Sequence, residues 1–581
     1  MIDLLLKQAG ASEPGFARKT VKWAITCTSE GRYTGVVQLG EGKGRVFERC
    51  PHLSQPELVG GKEARSHYLA EALATVVLHL EKNVKDEERN RFKQKHAWYV
   101  NRLLDSASVA PYLQAAAKVL SDQDILARIR DELMRAKAKP TDLAIVRVDD
   151  INPLERQDWY GWWREFRRGL APSRDKTTQW RMRCVVTGAC VEPAATHPKI
   201  KGLAGVGGLG TGDVLTGFDK AAFQSYGLEQ SANAAMSEET ATAYAETLNR
   251  LIAEKSVRLG GALAVYWFTG QDAPSQEDDV MSWFIEPPEQ TAGAAERRAR
   301  ELLNAVRTGQ RPDLAGSRFV SLLLSGAAGR VMVRDVMQGS FEELSAHTAA
   351  WFDHLAIVER DGGGLARAPK FMAIAASLVR DLKDLPSPWL QQLWHAAITG
   401  GRIPTATLAQ AVTRTRLDIL DERPANHARM GLIKAYLIRN QGDRHMQPYL
   451  NPDHPHAAYH CGRALALFAR LQHAALGKVG AGVVQRYYTA AAQTPGLILG
   501  RLASNAKNHL NKLNEPLAAW YEGQLAEILA RIRDHVPRTL TLEEQSLFAL
   551  GYYQQLAHYR AGHKGLPVEV AEEALETEQP E

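Results

Sequence analysis

The sequence predicts an α+β protein, in which an N-terminal mixed α/β region with antiparallel hairpins precedes a C-terminal α-helical bundle. Three observations lead to this prediction. Short apolar runs bounded by turn residues recur through residues 1–340, which is typical of strands. Strand signals fade after about residue 341, and apolar side chains then follow a helical period from about 371 to 562. Consecutive amphipathic helices with short connections favour a bundle.

The clearest hairpin signals lie near the two ends of the N-terminal region. Residues 21–28 and 33–39 alternate apolar with polar side chains on either side of a turn that contains Glu-Gly. Residues 318–325 and 330–336 flank a Gly-Ala-Ala-Gly turn in the same way. Such runs on both sides of turn residues predict antiparallel strand pairs.

Further elements are expected between these hairpins. Residues 51–140 are predicted to be mainly helical, and strands are predicted at 145–148 and 262–268. Ser237 is expected to cap a helix, because its hydroxyl can accept a hydrogen bond from the first turn and two glutamates follow it. The apolar face of that helix is predicted to consist of Tyr244, Leu248, Leu251 and Ile252.

Secondary-structure content divides the chain into four expected segments. They are a mixed α/β region at 1–340, a connecting helical segment at 341–385, a helical bundle at 386–566 and an acidic tail at 567–581. The tail carries six Glu and no Lys or Arg, a composition typical of disordered chain.

Composition limits the classes of protein to consider. The 581 residues carry 71 Lys+Arg and 66 Asp+Glu, a net charge of +5, so any nucleic-acid surface is expected to be local. The five cysteines show no regular spacing, which favours a reducing cytoplasm. No stretch approaches the roughly 18 consecutive apolar residues of a membrane span. We therefore expect a cytoplasmic protein with no membrane partner.

The most distinctive stretch runs from His197 to Ser237. Lys199 and Lys201 precede six glycines that lie between residues 202 and 212. Glycine lets backbone amides approach another molecule closely, and two lysines add positive charge, which together suit phosphate. The candidate phosphate contacts in this stretch are Lys199, Lys201, Gly202, Gly207 and Gly208.

Two other interpretations of the glycine-rich stretch stay open. Gly205, Gly207 and Gly210 match the G-x-G-x-x-G pattern of dinucleotide sites. That pattern requires a strand before it and a helix at its end, and the flanking residues predict neither well. A surface loop without a ligand is the second interpretation.

Other basic stretches are candidates for nucleic-acid contact. Arg18, Lys19 and Lys22 lie close together near the N-terminus, and Gly60-Gly61-Lys62 forms a second glycine–lysine turn. Residues 156–183 interleave arginines with tryptophans. This pattern fits stacking on single-stranded nucleic acid, and it fits equally well a helix whose tryptophans pack inward.

Motifs for catalysis are not found in the sequence. A P-loop, H-E-x-x-H, G-x-S-x-G and an EF-hand loop do not occur. The histidines at 445, 454, 456 and 460 favour an interhelical loop over a metal site, and Cys184, Cys190 and His197 lack a clear fourth zinc ligand. We expect a binding subunit that is not an enzyme and that carries no metal or other cofactor.

The combined motifs resemble the Csd-type large subunit of type I-C CRISPR effector complexes. They are His-Pro-x-Ile-Lys-Gly from His197, Phe-x-Ser-Tyr-Gly-x-Glu-Gln from Phe223, Cys-Val-Val-Thr-Gly from Cys184 and Gly-Phe-x-Arg-Lys-x-Val-x-Trp from Gly15. Several helical segments of the second half also resemble this family. The resemblance covers most of the chain and is weakest at 45–140 and 271–315.

The resemblance implies a subunit that recognises the protospacer-adjacent motif (PAM) in duplex DNA, helps to unwind the duplex and stabilises the displaced strand. Implied partners are guide RNA, the backbone and handle-processing subunits, and a separate helicase-nuclease that cuts. Many family members carry an Asn/Tyr/Gly-containing segment where this sequence has residues 54–62, so Gly60, Gly61 and Lys62 are our substitutes for it. The candidate contacts to duplex DNA are Arg18, Lys19, Lys22, Gly60, Gly61, Lys62, Lys199, Lys201, Gly202, Gly207 and Gly208. Those to the displaced strand are Arg486, Arg501, Lys507 and Lys512.

Members of this family often encode their small subunit within the same reading frame. Met430 and Met446 are positioned to start such a product, because helices are predicted after each. Two alternatives to a DNA-surveillance subunit remain: an enzyme that uses the glycine-rich stretch or the histidines, and a purely structural scaffold.

Overall fold

The computed structural model describes residues 1–10, 13–59, 63–81, 83–170, 181–270, 274–288, 293–477, 479, 482–532 and 535–561. The Gly60–Lys62 turn and the acidic tail at 567–581 therefore lie outside the described residues. The chain forms two compact units. The first contains Met1–Glu254 and Gly326–Met332, and the second contains Lys255–Ser325 and Val333–Glu581. The two units are defined by contacts in space, whereas the four predicted segments are defined by secondary-structure content. The boundaries of those segments therefore stay a prediction.

The first unit contains a four-stranded sheet and two two-stranded ribbons. Its strands are β1 (Phe16–Val21), β2 (Trp23–Cys27), β3 (Tyr33–Gln38), β4 (Arg45–Pro51), β5 (Glu71–Ala72), β6 (Leu143–Val148), β7 (Met182–Arg183) and β8 (Cys190–Val191). The sheet has the order β3-β2-β6-β5, while β1 pairs with β4 and β7 with β8. The antiparallel β2–β3 pair confirms the first predicted hairpin, and β6 confirms the strand predicted at 145–148.

The first unit also contains eight α-helices among its described residues, and those within residues 51–140 agree with the prediction. The eight helices are α1 (Ile2–Lys7), α2 (Gln55–Val59), α3 (Leu73–Val76), α4 (Asp86–Ser106), α5 (Leu113–Ser121), α6 (Gln123–Arg135), α7 (Tyr160–Leu170) and α8 (Glu238–Glu254). The hydroxyl of Ser237 accepts a hydrogen bond from the N–H of Thr240 at 3.1 Å, which confirms the predicted cap of α8. The four residues predicted for its apolar face are all buried.

The N-terminal strand boundary differs from the prediction. One strand was expected from residue 21 to 28, but Val21 ends β1 in the ribbon and Trp23 begins β2 in the sheet. Lys22 lies between them, and its backbone N–H donates to the Leu143 carbonyl at 3.0 Å. Because Val21 and Trp23 are both buried, the alternation of side chains continues across the break and conceals it in the sequence.

The second unit contains the helical bundle and a sheet, except for the Gly326–Met332 turn region of one hairpin, which is counted with the first unit. Its sheet has the order β12-β11-β10-β9, with β9 (Ser256–Leu259), β10 (Ala262–Thr269), β11 (Arg318–Ala327) and β12 (Arg330–Ser340). These strands confirm the predicted strand at 262–268 and the second predicted hairpin. The first helices of this unit are α9 (Val280–Ile285), α10 (Ala294–Arg307) and α11 (Phe341–Leu355).

The remaining helices form the predicted bundle. They are α12 (Phe371–Ala376), α13 (Ser387–Thr399), α14 (Thr405–Leu420), α15 (His427–Gln441), α16 (Ala457–Leu476), α17 (Val483–Ala491), α18 (Pro495–Leu510), α19 (Glu515–Ile532) and α20 (Leu542–Ala561). Helix α16 packs against α17, α18, α19 and α20. Among the described residues, no helix is both long and apolar enough to cross a membrane.

Two glycines let α16 and α20 approach each other closely. A Cβ atom at Gly462 would lie 2.0 Å from the carbonyl oxygen of Phe548, and one at Gly551 would lie 2.0 Å from that of Tyr459. Both distances are shorter than any real contact with backbone, so a side chain at either position would separate the helices. This contact fixes the centre of the bundle core.

Candidate nucleic-acid interface

Two of the three predicted N-terminal cations form ion pairs within the first unit. Arg18 lies 3.2 Å from Glu48 and 2.9 Å from Glu254. Lys22 lies 3.0 Å from Asp142. These carboxylates offset the charges of Arg18 and Lys22 in the free protein, so a phosphate would have to compete with them.

Lys19 is held by carbonyl oxygens instead. Its Nζ donates to Pro51 at 2.9 Å and to Ala70 at 3.0 Å, which leaves one of its three N–H groups for another acceptor. Burial lowers the pKa of Lys19 to about 8, and the nearby charge of Lys201 acts in the same direction against that of Glu71. Lys19 is therefore a partly desolvated cation with an unused donor.

Two histidines lie beside Lys19, and the sequence analysis missed both. The rings of His52 and His67 stack with their centroids 4.4 Å apart. Burial, followed by the charge of Lys19, holds the pKa of each ring well below its ordinary value, and the charge of Lys201 contributes to both shifts. We call Lys19, His52, His67 and Lys201 the basic cluster. Its four side chains come from sequence positions up to 182 residues apart.

The hydrogen bonds of the two rings differ. Nδ1 of His67 accepts the backbone N–H of Leu53 at 3.1 Å, so the neutral ring carries its proton on Nε2. Nδ1 of His52 is buried and has no hydrogen-bond partner in the part of the chain that the structure describes. A buried polar atom without a partner is costly. Nδ1 of His52 is therefore a hydrogen-bonding group of the cluster that the described residues leave unsatisfied.

Asn249 on α8 fixes the backbone of the two lysines from the glycine-rich stretch. Its Nδ2 donates to the carbonyl of Lys199 at 3.2 Å, and its Oδ1 accepts the N–H of Lys201 at 2.7 Å. Ile200 between them is fully buried, whereas both lysines are exposed. Neither ammonium group has an ion pair with a described residue. The two lysines thus present unpaired charge on a fixed backbone.

Hydrogen bonds stabilise the conformation of the glycine-rich stretch. Ile200 and Asp213 exchange two backbone hydrogen bonds of 2.8 Å, and the buried Asp213 carboxylate accepts the N–H of Leu209 at 3.1 and 3.2 Å. The stretch has a 3-10 turn at Ala204–Val206. Between 199 and 220, all of which is described, it has no α-helix or strand. The strand and helix that a dinucleotide site requires are therefore not there.

Packing explains why glycine occupies three of the predicted positions. A Cβ atom would lie 2.6 Å from Cγ2 of Ile252 at Gly202, 2.8 Å from the carbonyl oxygen of Gly326 at Gly207, and 2.2 Å from Oδ2 of Asp213 at Gly208. The backbone of Gly202 and Gly207 also has positive φ, which glycine adopts most readily. These glycines shape the loop that carries the lysines, whether or not they contact a ligand.

A second loop presents an exposed aromatic side chain. Tyr226 is 97% exposed and has a φ of 55°, an uncommon conformation for a residue other than glycine. Asn233 holds the loop around it: its Oδ1 accepts the N–H of Ser225 at 3.0 Å, and its Nδ2 donates to the carbonyls of Leu228 and Gln230 at 2.9 and 3.0 Å. The signal in the sequence was the Phe-Gln-Ser-Tyr-Gly motif.

The arginine–tryptophan stretch adopts the inward-packing alternative where it is described. Trp159 and Trp163 are fully buried, and Nε1 of Trp163 donates to the Gly15 carbonyl at 2.7 Å. The arginines of α7 have acidic partners, with Arg164 bound to Glu13 and Arg167 to Glu57 and Glu238. Residues 171–180, which include Arg174, Lys176 and Trp180, lie outside the described residues.

The four cations predicted to follow the displaced strand lie in the bundle. Arg486 is on α17, Arg501 and Lys507 are on α18, and Lys512 follows that helix. All four are exposed, and none has an ion pair with a described residue. Lys507 lies six positions after Arg501, which places the two about 120° apart around a helix of roughly 3.6 residues per turn. The two therefore lie on different faces of α18.

The histidines of the bundle are used in internal hydrogen bonds. Nε2 of His454 lies 3.2 Å from the Asp443 carboxylate, and Nε2 of His460 donates to the carbonyl of His454 at 2.6 Å. Cys184 is buried and Cys190 is exposed. In the described ranges, no group of three or more His, Cys, Asp or Glu side chains is arranged to hold a metal ion.

Comparison with known proteins identifies one family. A family model described as CRISPR-associated protein (Cas_Csd1) matches residues 3–560. None of the curated proteins matches the chain. The match covers both compact units and extends from α1 to α20.

Proposed function

Because the chain belongs to the Cas_Csd1 family of CRISPR-associated proteins, we propose that it is the large subunit of a type I-C surveillance complex. In this role it recognises the PAM in duplex DNA, helps to unwind the duplex and stabilises the displaced strand. Its partners are guide RNA, the backbone and handle-processing subunits, and a separate helicase-nuclease that cuts the DNA. The chain itself acts as a binding subunit without catalytic residues.

The observation that carries this proposal is that Lys199 and Lys201 are exposed and have no ion pair with a residue that the structure describes. Exposed lysines without carboxylate partners gain most from contact with phosphate, because no internal ion pair has to be broken. Asn249 orders the backbone of both residues before binding, so less conformational entropy is lost on contact. Arg18 and Lys22 lack this advantage, since both are already paired.

The small subunit from an internal start is also part of the proposal, and the fold favours Met446 as its first residue. Met430 lies inside α15, so a product from that position begins partway along a helix. Met446 lies in the connection between α15 and α16, so a product from there contains α16–α20 as complete helices.

The proposal can be tested by duplex binding. The chain, assembled with guide RNA and backbone subunits, is mixed with targets whose flanking sequence is randomised, and bound duplexes are sequenced. We expect enrichment of one short flank, weaker binding for Lys199→Ala/Lys201→Ala, and a slope of log K against log salt that is flatter by about two units. Lys383→Ala, at an exposed position of the second unit, is the matched control.

Two outcomes contradict parts of this proposal. Flank enrichment that survives the double substitution keeps PAM recognition and removes the two lysines from it. Binding without flank preference contradicts PAM recognition and favours a structural scaffold. Cleavage of DNA by the isolated chain, without a helicase-nuclease, would instead favour the enzyme alternative.

A further inference from the structure

The basic cluster brings together side chains from four separate segments of the first unit. Lys19 comes from β1, and His52 directly follows β4. His67 lies in the segment before β5, and Lys201 lies in the glycine-rich stretch. The rings of His52 and His67 stack side by side at 4.4 Å, and the charges of Lys19 and Lys201 both act on them.

Positive charge is in excess around these rings. Glu71 is the carboxylate that acts on Lys19, and its two oxygens accept the backbone N–H groups of His67 and Ala72, each at 2.8 Å. Arg167, whose charge reaches His52, is bound to its own partners Glu57 and Glu238. Lys95 on α4 adds a further positive charge near His67.

Unused hydrogen-bonding groups accompany this charge. Lys19 has one N–H left after its two carbonyl partners. The neutral His67 ring carries its proton on Nε2, because Nδ1 accepts a hydrogen bond. Nδ1 of His52 has no partner among the described residues, and it becomes a donor when the ring is protonated. A group with several acceptor oxygens and a negative charge would satisfy all of these.

We propose that the basic cluster binds one phosphate group of a nucleic-acid backbone, and that His52 takes up a proton as it binds. This inference rests on the proposed function, which brings nucleic acid to the first unit. It adds to that function a specific phosphate contact whose strength depends on pH. A neutral ligand would leave the like charges of Lys19 and Lys201 unbalanced, so it fits the cluster less well.

The direction of the pH dependence follows from the shifts in the free protein. Burial, Lys19 and Lys201 keep the pKa of His52 and His67 well below 6.5, so both rings are neutral at pH 7. A phosphate beside them raises the pKa of each ring. The bound state then holds more protons than the free state, and affinity rises as pH falls toward the pKa of the free rings.

Lys19 determines how affinity changes with pH above about 8. Its pKa in the free protein is about 8, and a bound phosphate raises it. Affinity therefore falls as pH rises above about 8, where the free protein loses the Lys19 proton and the bound state retains it.

The test measures the affinity of the assembled complex for a duplex with the preferred flank between pH 6 and pH 8. We expect the Kd of the wild type to fall by about tenfold for each unit that the pH falls from 8 toward 6, since one proton taken up per complex changes affinity about tenfold per pH unit. His52→Gln/His67→Gln should bind with little pH dependence. His535→Gln, at an exposed histidine of the second unit, should behave like the wild type.

Two further experiments distinguish the source of the phosphate and provide a variant that is expected to fold normally. The same titration with the full chain and guide RNA alone distinguishes RNA from DNA, and a pH-dependent gain in either arm supports the phosphate site. Lys201→Ala removes an exposed side chain, so it should fold normally. It should weaken binding several-fold and raise the pKa of both free histidines, measured by NMR of the ring Cε1–H signals.

Three results would overturn the inference. They are an equal pH slope in the wild type and the double histidine variant, no change in the histidine signals on addition of duplex or guide RNA, and unchanged histidine pKa values in Lys201→Ala. Failure of the proposed function gives a different result, because flank preference is then absent from the wild type at every pH.

Discussion

The side chain of Asn249 accepts a hydrogen bond of 2.7 Å from the backbone N–H of Lys201. Since the same amide group also donates to Lys199, one residue of α8 positions both exposed lysines. The lysines are therefore ordered by a neighbour that carries no charge and lies 48 residues away in the sequence. The position of the two lysines therefore depends on Asn249, whereas their positive charge does not.

Asn249→Ala is expected to weaken duplex binding without changing net charge. The substitution removes two hydrogen bonds, each of which contributes roughly 0.5–1.5 kcal/mol, and frees the backbone of Lys199 and Lys201. We expect affinity to fall about threefold to tenfold while the salt slope stays unchanged, because both phosphate contacts still form. Asn101→Ala, on the exposed face of α4, is the control. A flatter salt slope would show that the contacts themselves had been lost.

Gly551→Ala is expected to destabilise the bundle. The new Cβ would lie 2.0 Å from the carbonyl of Tyr459, so α16 and α20 must move apart, and overpacking of this kind costs about 1–3 kcal/mol. Gly523→Ala is the matched control, because Gly523 is helical and exposed with open space around it. It should stabilise the helix by up to about 1 kcal/mol. Urea denaturation of the two variants should give midpoints that move in opposite directions.

Acid is expected to destabilise the first unit through His197. Burial lowers the pKa of His197 to about 4, and the ring is hydrogen-bonded to Tyr244 at 2.9 Å. The unfolded chain binds a proton near pH 6.5 and the folded chain does not, so stability present above pH 6.5 is lost as pH falls toward 4. The loss amounts to about 3 kcal/mol at about 1.4 kcal/mol per pKa unit.

Denaturation of wild type and His197→Gln between pH 7 and pH 4 measures this effect. The variant is expected to be less stable at pH 7 and to lose less stability on acidification. Equal losses in the two proteins would show that other groups cause the acid sensitivity.

Substitution of one methionine should abolish the internally started product. Met446→Leu is expected to remove the fragment from cells that express the full chain, while Met430→Leu leaves its amount unchanged. Both methionines are buried, and exchange of Met for Leu conserves volume and usually costs less than about 1.5 kcal/mol, so the full chain should still fold. Immunoblotting for an epitope in α20 detects both products. Loss of the fragment in Met430→Leu instead would place the start at that residue.

The sequence predicts elements well where a local pattern determines them. The α8 cap at Ser237 and the hairpin around residues 326–329 depend on neighbouring residues, and both are confirmed. The ribbon of β1 and β4 was missed because Lys22 interrupts the pairing without interrupting the alternation of buried residues. Pairing of distant segments is decided by tertiary contacts that a local pattern does not contain.

The candidate site was less predictable for the same reason. His52 and His67 are single histidines with no motif around them. Only the folded structure shows that their rings stack and that the charge of Lys19 acts on both. Arg18 and Lys22 looked equivalent to Lys19 in the sequence, but carboxylates from distant segments pair with them. Whether a charge is free or paired depends on such partners, which lie up to 236 residues away.

Helix α16 is buried continuously from Ala458 to Phe468, with other helices of the bundle packed around it. Local fraying of the helix therefore does not expose these backbone amides to water. Their hydrogens should exchange with deuterium only when the whole second unit opens. Exchange in this one helix then reports the global opening free energy of that unit. Binding of any partner to the second unit becomes measurable as slower exchange in α16, even when the partner touches a distant surface.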